Sequence, residues 1–278
     1  MPAATPSRLA GPSARVVVVG ASLAGLRTAE ELRRLGFAGT LTLVGAEVHR
    51  PYDRPPLSKD FLAGTTDAAG LALRRQPYDE LDLDLRLGVR ATGVDLGGSV
   101  LATDAGEIPF DGLAIATGAA PRRLPDQPNL AGIHVLRTLD DAVALRADLA
   151  QASRLVVVGA GFIGAEVAAT CSARGIAVTM LEALPSPMVR GLGPLLGDAL
   201  AALHRAHGVD LRTSVGVAGF AGTDRVEQVV LDDGTTLDAD VVLVGVGAAP
   251  VTDWLEGSGL TLDNGVVCDA TLLAAPGV

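Results

Sequence analysis

The sequence predicts an α/β fold made of two doubly wound halves, each with a small antiparallel meander. Three observations carry this. A strand–turn–helix–strand pattern occurs twice, a later segment of each half recurs in the same order, and the composition is layered in character, with 34 glycines and only 3% aromatic residues. Abundant Gly, Ala, Val and Leu suit helices on a parallel sheet with tight turns better than an all-β sandwich.

In chain order, "RVVVVGASLAG" begins at Arg15 and "RLVVVGAGFIG" at Arg154. Each is a β-branched run that ends in a Gly-rich turn. Helices follow over Ala24–Leu35 and Ile163–Arg174, each stopped by a glycine, Gly36 or Gly175. A second strand comes next, Leu41–Val44 in one half and Val178–Leu181 in the other. This is one βαβ unit written twice. Leu83–Pro109 and Leu211–Leu237 read as meanders, with turns at Gly97–Gly98, Asp104–Gly106 and Asp232–Gly234. "LAIATGAAP" (Leu113–Pro121) then matches "VVLVGVGAAP" (Val241–Pro250). Incidental likeness within one large sheet would not repeat three features in one order.

The chain of 278 residues, 49% of them apolar, has length and core for about two domains. A net charge of −10 makes a general nucleic-acid binder improbable on electrostatic grounds. No apolar run reaches the roughly eighteen residues of a membrane span. The leading "MPAATPSRLAGPSA" lacks the apolar centre of a signal peptide and reads as a disordered tail. Two distant cysteines, Cys171 and Cys268, form no disulfide framework, which fits a reducing cytoplasm. The absence of a Cys-x-x-Cys pair leaves dithiol exchange without its parts.

In "GAGFIG", Gly159 permits the tight turn, Gly161 lets backbone approach a pyrophosphate, and Gly164 lets helix and strand pack closely. The anion would lie at the helix N-terminus, where free N–H groups and the dipole favour it. Glu182 ends the following strand and is placed to hold ribose hydroxyls and repel a 2′-phosphate, which favours NADH over NADPH. In "GASLAG", Ser22 takes the middle position between Gly20 and Gly25, and Glu47 is the acid. Two such sites suggest two dinucleotides, with a nicotinamide delivering hydride to a flavin.

After Glu47 the chain reads "EVHRPYDRPPLSKDFLAGT", with neither helix nor strand periodicity. Proline-rich segments are stiff without hydrogen-bonded structure.

With these residues quoted, the chain resembles the FAD-dependent NADH:ferredoxin reductases that serve haem monooxygenases and Rieske-type dioxygenases. The resemblance runs from Arg15 to Val278 through "RPYDRPPLSK", "ATGAAPR", "VVVGAGFIGAEVAA" and "LVGVGAAP". Of these, "RPPLSK" with "GFIGAE" is the specific part; the glycine motifs alone are not. Apoptosis-inducing factor and the rubredoxin and nitrite reductases share much of the pattern. The resemblance implies that Arg54 and Pro55 lie against FAD. It implies that Lys59 sits near the reactive edge of the ring, paired with Glu166, both in catalytic roles. With the turns, it assigns Gly20, Ser22, Ala24, Gly25, Glu47, Ala116, Thr117, Gly118 and Gly247 to cofactor binding, and Gly159, Gly161, Phe162, Ile163, Gly164 and Glu182 to NADH. It implies a ferredoxin-type iron–sulfur protein as electron acceptor.

It also implies a discontinuous FAD domain, 14–119 with 246–278, around an NAD domain at 120–245. In the resembling family a strand ending in Gly-Asp and a C-terminal domain follow the point where this chain reads "LLAAPGV", so the expectation is a fragment. Relatives that use oxygen, peroxide, a disulfide or nitrite as acceptor, a non-enzymatic signalling role, and an inert nucleotide-binding fragment are the alternatives. A redox cysteine expected of some of these is absent from "PPLSK". His204 and His207 have a spacing compatible with a metal but no further ligands beside them, and read as a surface pair. Cys171 and Trp254 read as packing residues. The pairs at Arg33 and Arg34, Arg74 and Arg75, and Arg122 and Arg123 read as solvated surface, with no docking role assigned.

Overall fold

A computed structural model describes residues 11–74 and 76–278. Most of the expected tail, and Arg75, lie outside the described residues. The chain divides into two compact units, one of 1–53, 72–119 and 250–278, the other of 54–71 and 120–249.

In the first unit, β1 (Arg15–Val19), β2 (Thr40–Gly45), β3 (Leu83–Leu87) and β7 (Gly112–Ile115) form a parallel sheet in the order β3-β2-β1-β7. Helix α1 (Leu23–Arg34) joins β1 to β2 and buries Leu26 and Ala29. Val16, Val18, Leu41 and Leu43 form the core on the helix side. Val17, Val19 and Val44 face Leu101, Ile108 and Phe110 in a second core. Burial on both faces explains why β1 is an unbroken apolar run rather than an alternating one. The second core belongs to the antiparallel meander β4 (Ala91–Asp95), β5 (Val100–Thr103) and β6 (Gly106–Pro109). Trp254 packs there, as expected.

The chain leaves this unit through β8 (Ala119–Pro121) and returns through β17 (Ala248–Pro250). Between them lie β9 (Ile133–His134), α3 (Leu139–Leu149), β10 (Arg154–Val158), α4 (Phe162–Ala173) and β11 (Ala177–Glu182). Then come α5 (Val189–Ala206), β12 (Asp210–Thr213), the meander β13 (Val217–Ala221), β14 (Gln228–Leu231) and β15 (Thr236–Asp238), and finally β16 (Val241–Val244). The parallel sheet runs β12-β11-β10-β16-β9. Among the described residues no helix is long and apolar enough to cross a membrane.

Four expectations change. Leu83–Leu87 and Asp210–Thr213, read as the first meander strands, are parallel edge strands; the antiparallel strands begin at Ala91 and Val217. Their short alternating pattern fits an edge strand of either kind, so periodicity cannot separate them. The Pro-rich segment is not without regular structure: a 3-10 turn over Pro55–Ser58 runs into a one-turn helix, α2 (Asp60–Ala63). Proline is accommodated in a first helical turn, where its missing N–H has no partner to lose. His204 is buried at 9% exposure, where burial first and then His207 push its pKa down, so the two histidines are not a surface pair. Arg33 and Arg74 are only 14% and 10% exposed rather than solvated. Arg33 donates to the carbonyls of Leu81, Phe37, Gly39 and Asp82, and Arg74 pairs with Glu30 and Glu80.

The repeat extends to the ends of the sheets away from the Gly-rich turns. Arg15 makes a two-pronged bond to Asp111, at 3.1 Å from both Nε and Nη2. Arg154 holds Asp240 with the same two nitrogens, at 3.2 and 2.7 Å, although both reach the one oxygen Oδ1. In each case the arginine opens the first strand and the aspartate immediately precedes the sheet's neighbouring strand, β7 or β16.

Candidate functional site

The Gly159 turn joins the carboxyl end of β10 to α4. Gly159 has φ +98°, and a Cβ there would lie 2.5 Å from the Gly245 carbonyl oxygen. A Cβ on Gly164 would lie 2.1 Å from the Gly159 oxygen, so that glycine lets the helix press on the turn. Gly161 is different. Its φ is −77°, open to any residue, and a Cβ would meet nothing closer than 3.9 Å. Neither backbone nor packing requires a glycine there.

A cavity of about 610 Å³ opens over this turn, lined by Gly159, Gly161, Phe162, Ile163, Glu182 and Gly247 together with Arg137 and Arg190. Phe162 remains 62% exposed at the start of α4. Gly164 is buried beneath. Glu182 Oε2 accepts from the Ala160 N–H at 2.8 Å and Oε1 from the Leu184 N–H at 2.9 Å. A carboxylate offers about four acceptor positions, so these bonds orient the group and leave capacity for further donors. Gly247 has φ +116°, which only glycine adopts freely.

The first unit repeats the arrangement at the carboxyl ends of β1 and β7. A Cβ on Gly20 would lie 2.1 Å from the Ala116 oxygen, and one on Gly25 would lie 1.9 Å from the Gly20 oxygen. Ser22 is the N-cap residue of α1, with Ala24 in its first turn. Thr117 Oγ1 donates to the Val251 carbonyl at 2.8 Å, and Gly118, at φ +67°, accepts from the Val251 N–H. Glu47 accepts from the Tyr52 hydroxyl at 2.5 Å.

Arg54, Pro55 and Lys59 have their contacts in the second unit. Arg54 donates to the Arg137 carbonyl at 2.5 Å. Lys59 Nζ lies 2.6 Å from Glu166 Oε2, 3.1 Å from the Pro55 carbonyl and 3.4 Å from Ser58 Oγ. The lysine and glutamate that the resemblance pairs lie together in the structure. Ser58 Oγ also donates to Glu166 Oε2 at 2.5 Å, and Thr170 Oγ1 donates to the Ser58 carbonyl at 2.8 Å.

A sequence profile for the pyridine nucleotide-disulphide oxidoreductases matches residues 14–278. The chain belongs to that family. Within it, the chain is 41% identical over 261 residues to rhodocoxin reductase of Rhodococcus erythropolis, covering 92% of this chain and 61% of the relative. It is 40% identical over 267 residues to the ferredoxin–NAD(+) reductase component of the p-cumate 2,3-dioxygenase system of Pseudomonas putida, covering 95% and 66%. Among solved structures it superposes on the covalent putidaredoxin reductase–putidaredoxin complex with TM-score 0.89 at 36% identity, covering 93% of this chain and 64% of that one. The chain thus spans less than two thirds of the length of these relatives.

The family name includes disulphide chemistry, and the cysteines bear on it. Both are free; Cys171 is fully buried in α4, where burial pushes its thiol up to about 11. A thiol in that state is inert at neutral pH.

Sequence reasoning missed Ser58, Thr170 and Arg174. For Thr170 and Arg174 the signal was present in "EVAATCSAR": Glu166, Thr170 and Arg174 recur every four residues, on one face of a helix.

Proposed function

We propose that this chain is the nucleotide-handling part of an FAD-dependent NADH:ferredoxin reductase. In this reading NADH binds over the Gly159–Gly164 turn, FAD belongs to the half built on Gly20–Gly25, and a ferredoxin-type iron–sulfur protein receives the electrons. The FAD domain is 14–119 with 246–278, and the NAD domain is 120–245. The observation that carries the reading is Gly161. It is a glycine that the fold does not need, at a helix N-terminus, on the wall of a large cavity. A residue kept small for no internal reason is one kept small for a ligand, and the N–H groups of a first helical turn select an anionic one.

The chain's own residues then divide the work. The first turn of α4 binds the pyrophosphate. Glu182, oriented by two backbone amides, takes ribose hydroxyls and disfavours a 2′-phosphate. Phe162 and Ile163 give the cavity an apolar wall that excludes water. A bound flavin supplies the conversion of a two-electron hydride into single electrons. Lys59, held by Glu166, supplies positive charge where negative charge develops in that transfer. In the FAD half, Gly20, Ser22, Ala24 and Gly25 form the phosphate turn and Glu47 the ribose acid. Arg54, Pro55, Ala116, Thr117, Gly118 and Gly247 complete the cofactor set.

The test is an absorbance spectrum of the purified chain with FAD, recorded before and after anaerobic NADH. A protein-bound flavin band near about 450 nm that bleaches with NADH is expected. A flavin that stays free, or that binds and does not bleach, would overturn the reading for this chain.

A further inference from the structure

Lys59 is the single lysine of the sequence; the other 21 basic residues are arginines. The two side chains are not interchangeable. Arginine is a rigid planar fork, whereas lysine is a compact charge on a flexible stem. A flexible stem that is 45% exposed acts at one place only if something holds it there.

The structure shows what holds it. The ammonium has three N–H donors, and three acceptors lie around it: Glu166 Oε2, the Pro55 carbonyl and Ser58 Oγ. Ser58 is only 2% exposed. Its one hydroxyl proton goes to Glu166 Oε2, at 2.5 Å, which leaves the oxygen's lone pairs toward Lys59. The serine thus links the two charged groups and fixes the carboxylate. Its own position is set in turn by Thr170, one helical turn beyond Glu166, through the Ser58 carbonyl. One turn further, Arg174 donates to the Leu62 carbonyl at 3.0 Å. Opposite, Arg146 of α3 donates to the Phe61 carbonyl at 3.3 Å and lies 4.3 Å over the Phe61 ring. Glu166 and Thr170 of α4, with Arg174 at its C-cap, therefore hold the segment 58–62 at three successive turns.

We propose that Ser58 and Thr170 are positioning residues that, with Arg174, clasp the Lys59 ammonium against Glu166. The consequence for hydride transfer rests on the reductase reading, while the clasp itself stands on the contacts of this chain. Because α4 starts at the Gly159 turn, the helix that would bind the nicotinamide dinucleotide is the same rigid body that holds the lysine.

A single lysine makes the clasp directly measurable. The 278-residue chain grown with lysine carrying carbon-13 at Cε gives one side-chain signal, whose relaxation reports how firmly the ammonium is held. A held Cε is expected in the unmodified chain. Ser58→Ala and Thr170→Val are expected to release it, lowering its order parameter below about 0.6, the range of flexible groups. Thr170→Ser keeps the hydroxyl and is expected to restore the held state, which a purely structural loss would not predict. If Ser58→Ala fails to fold, the Thr170 pair decides. Unchanged Cε relaxation in folded Thr170→Val would overturn the proposal. Failure of NADH to bleach the flavin would sink the reductase reading and leave the lysine result standing, so the two failures are distinct. In flavin-loaded protein, Ser58→Ala is expected to slow bleaching about tenfold, within what loose positioning of a charged group costs, while Thr170→Ser leaves it unchanged.

Discussion

The two Gly-rich turns are built alike at their ends and differently in the middle. Gly20 and Gly159 both have positive φ, and both would drive a Cβ into a carbonyl of the neighbouring strand's extension, at 2.1 and 2.5 Å. Gly25 and Gly164 would both drive one into the turn itself, at 1.9 and 2.1 Å. The middle residue is Ser22 in one turn and Gly161 in the other, with φ −130° and −77°, both unstrained. What folding demands has stayed the same in both halves. What folding leaves free has diverged, and that is where a ligand can write its own requirement.

The largest expected effect breaks the shared part. A valine at Gly20 or Gly164 meets backbone, which has no flexible end to move aside, and at Gly20 the φ is unfavourable as well. Each is expected to cost on the order of 3 kcal/mol or more, enough to remove much of a domain's stability. Urea unfolding would show it as a lowered midpoint. A near-native midpoint for Gly164→Val would mean that the close helix–turn approach is not a folding constraint, and the division drawn above would fail.

The next effect sharpens the difference. Gly161→Val has room and an allowed φ, so its unfolding midpoint is expected to stay within about 1 kcal/mol of the unmodified chain. Its affinity for NADH, measured by calorimetry, is expected to fall at least about tenfold, or 1.4 kcal/mol. Gly161→Ser copies the first turn and places a good N-cap residue at the head of α4. It is expected to keep stability and lose less affinity than valine. Equal NADH binding by all three forms would remove the ligand from the explanation of Gly161.

This contrast also shows how far the sequence could be read. The paired βαβ units were legible because glycine spacing and β-branched runs are local features, and each half confirmed the other. Helix ends came within a residue: Leu23–Arg34 and Phe162–Ala173 formed where Ala24–Leu35 and Ile163–Arg174 were expected. The parallel edge strands at Leu83 and Asp210 were not separable from the meanders, since strand direction is set by distant partners. The helical turn at Pro55–Ala63 was masked by prolines that here start the structure. At the site, Lys59 and Glu166 were placed by resemblance. Ser58 and Thr170 were not: spacing puts Thr170 on the helix face of Glu166, but its partner, the Ser58 carbonyl, lies far along the chain, and nothing local announces that the Ser58 hydroxyl is buried against Glu166.

The smallest effect concerns the Arg–Asp clamps repeated at the other ends of the sheets. The Arg154 hydrogen bonds, opposed by burial and aided by the Ser153 and Arg154 backbone amides, hold the Asp240 carboxyl below its usual range. A carboxyl with a depressed folded-state pKa contributes stability above its unfolded pKa and loses it as pH falls through the folded one. The clamp's share is therefore full at neutral pH and fades from about pH 5 downward, as an unfolded-state aspartate begins to protonate. Arg154 is 48% exposed and Asp240 31%, so solvent screening keeps that share small. Asp240→Asn is expected to lower the urea midpoint slightly at pH 6, with the gap to the unmodified chain narrowing as pH falls through the carboxylate range. A gap that persists unchanged at acid pH would mean that the amide–carboxyl geometry, and not the charge, ties Arg154 to the second half. Asp111→Asn, made in parallel against Arg15, would then show whether the two halves share that mechanism or only its appearance.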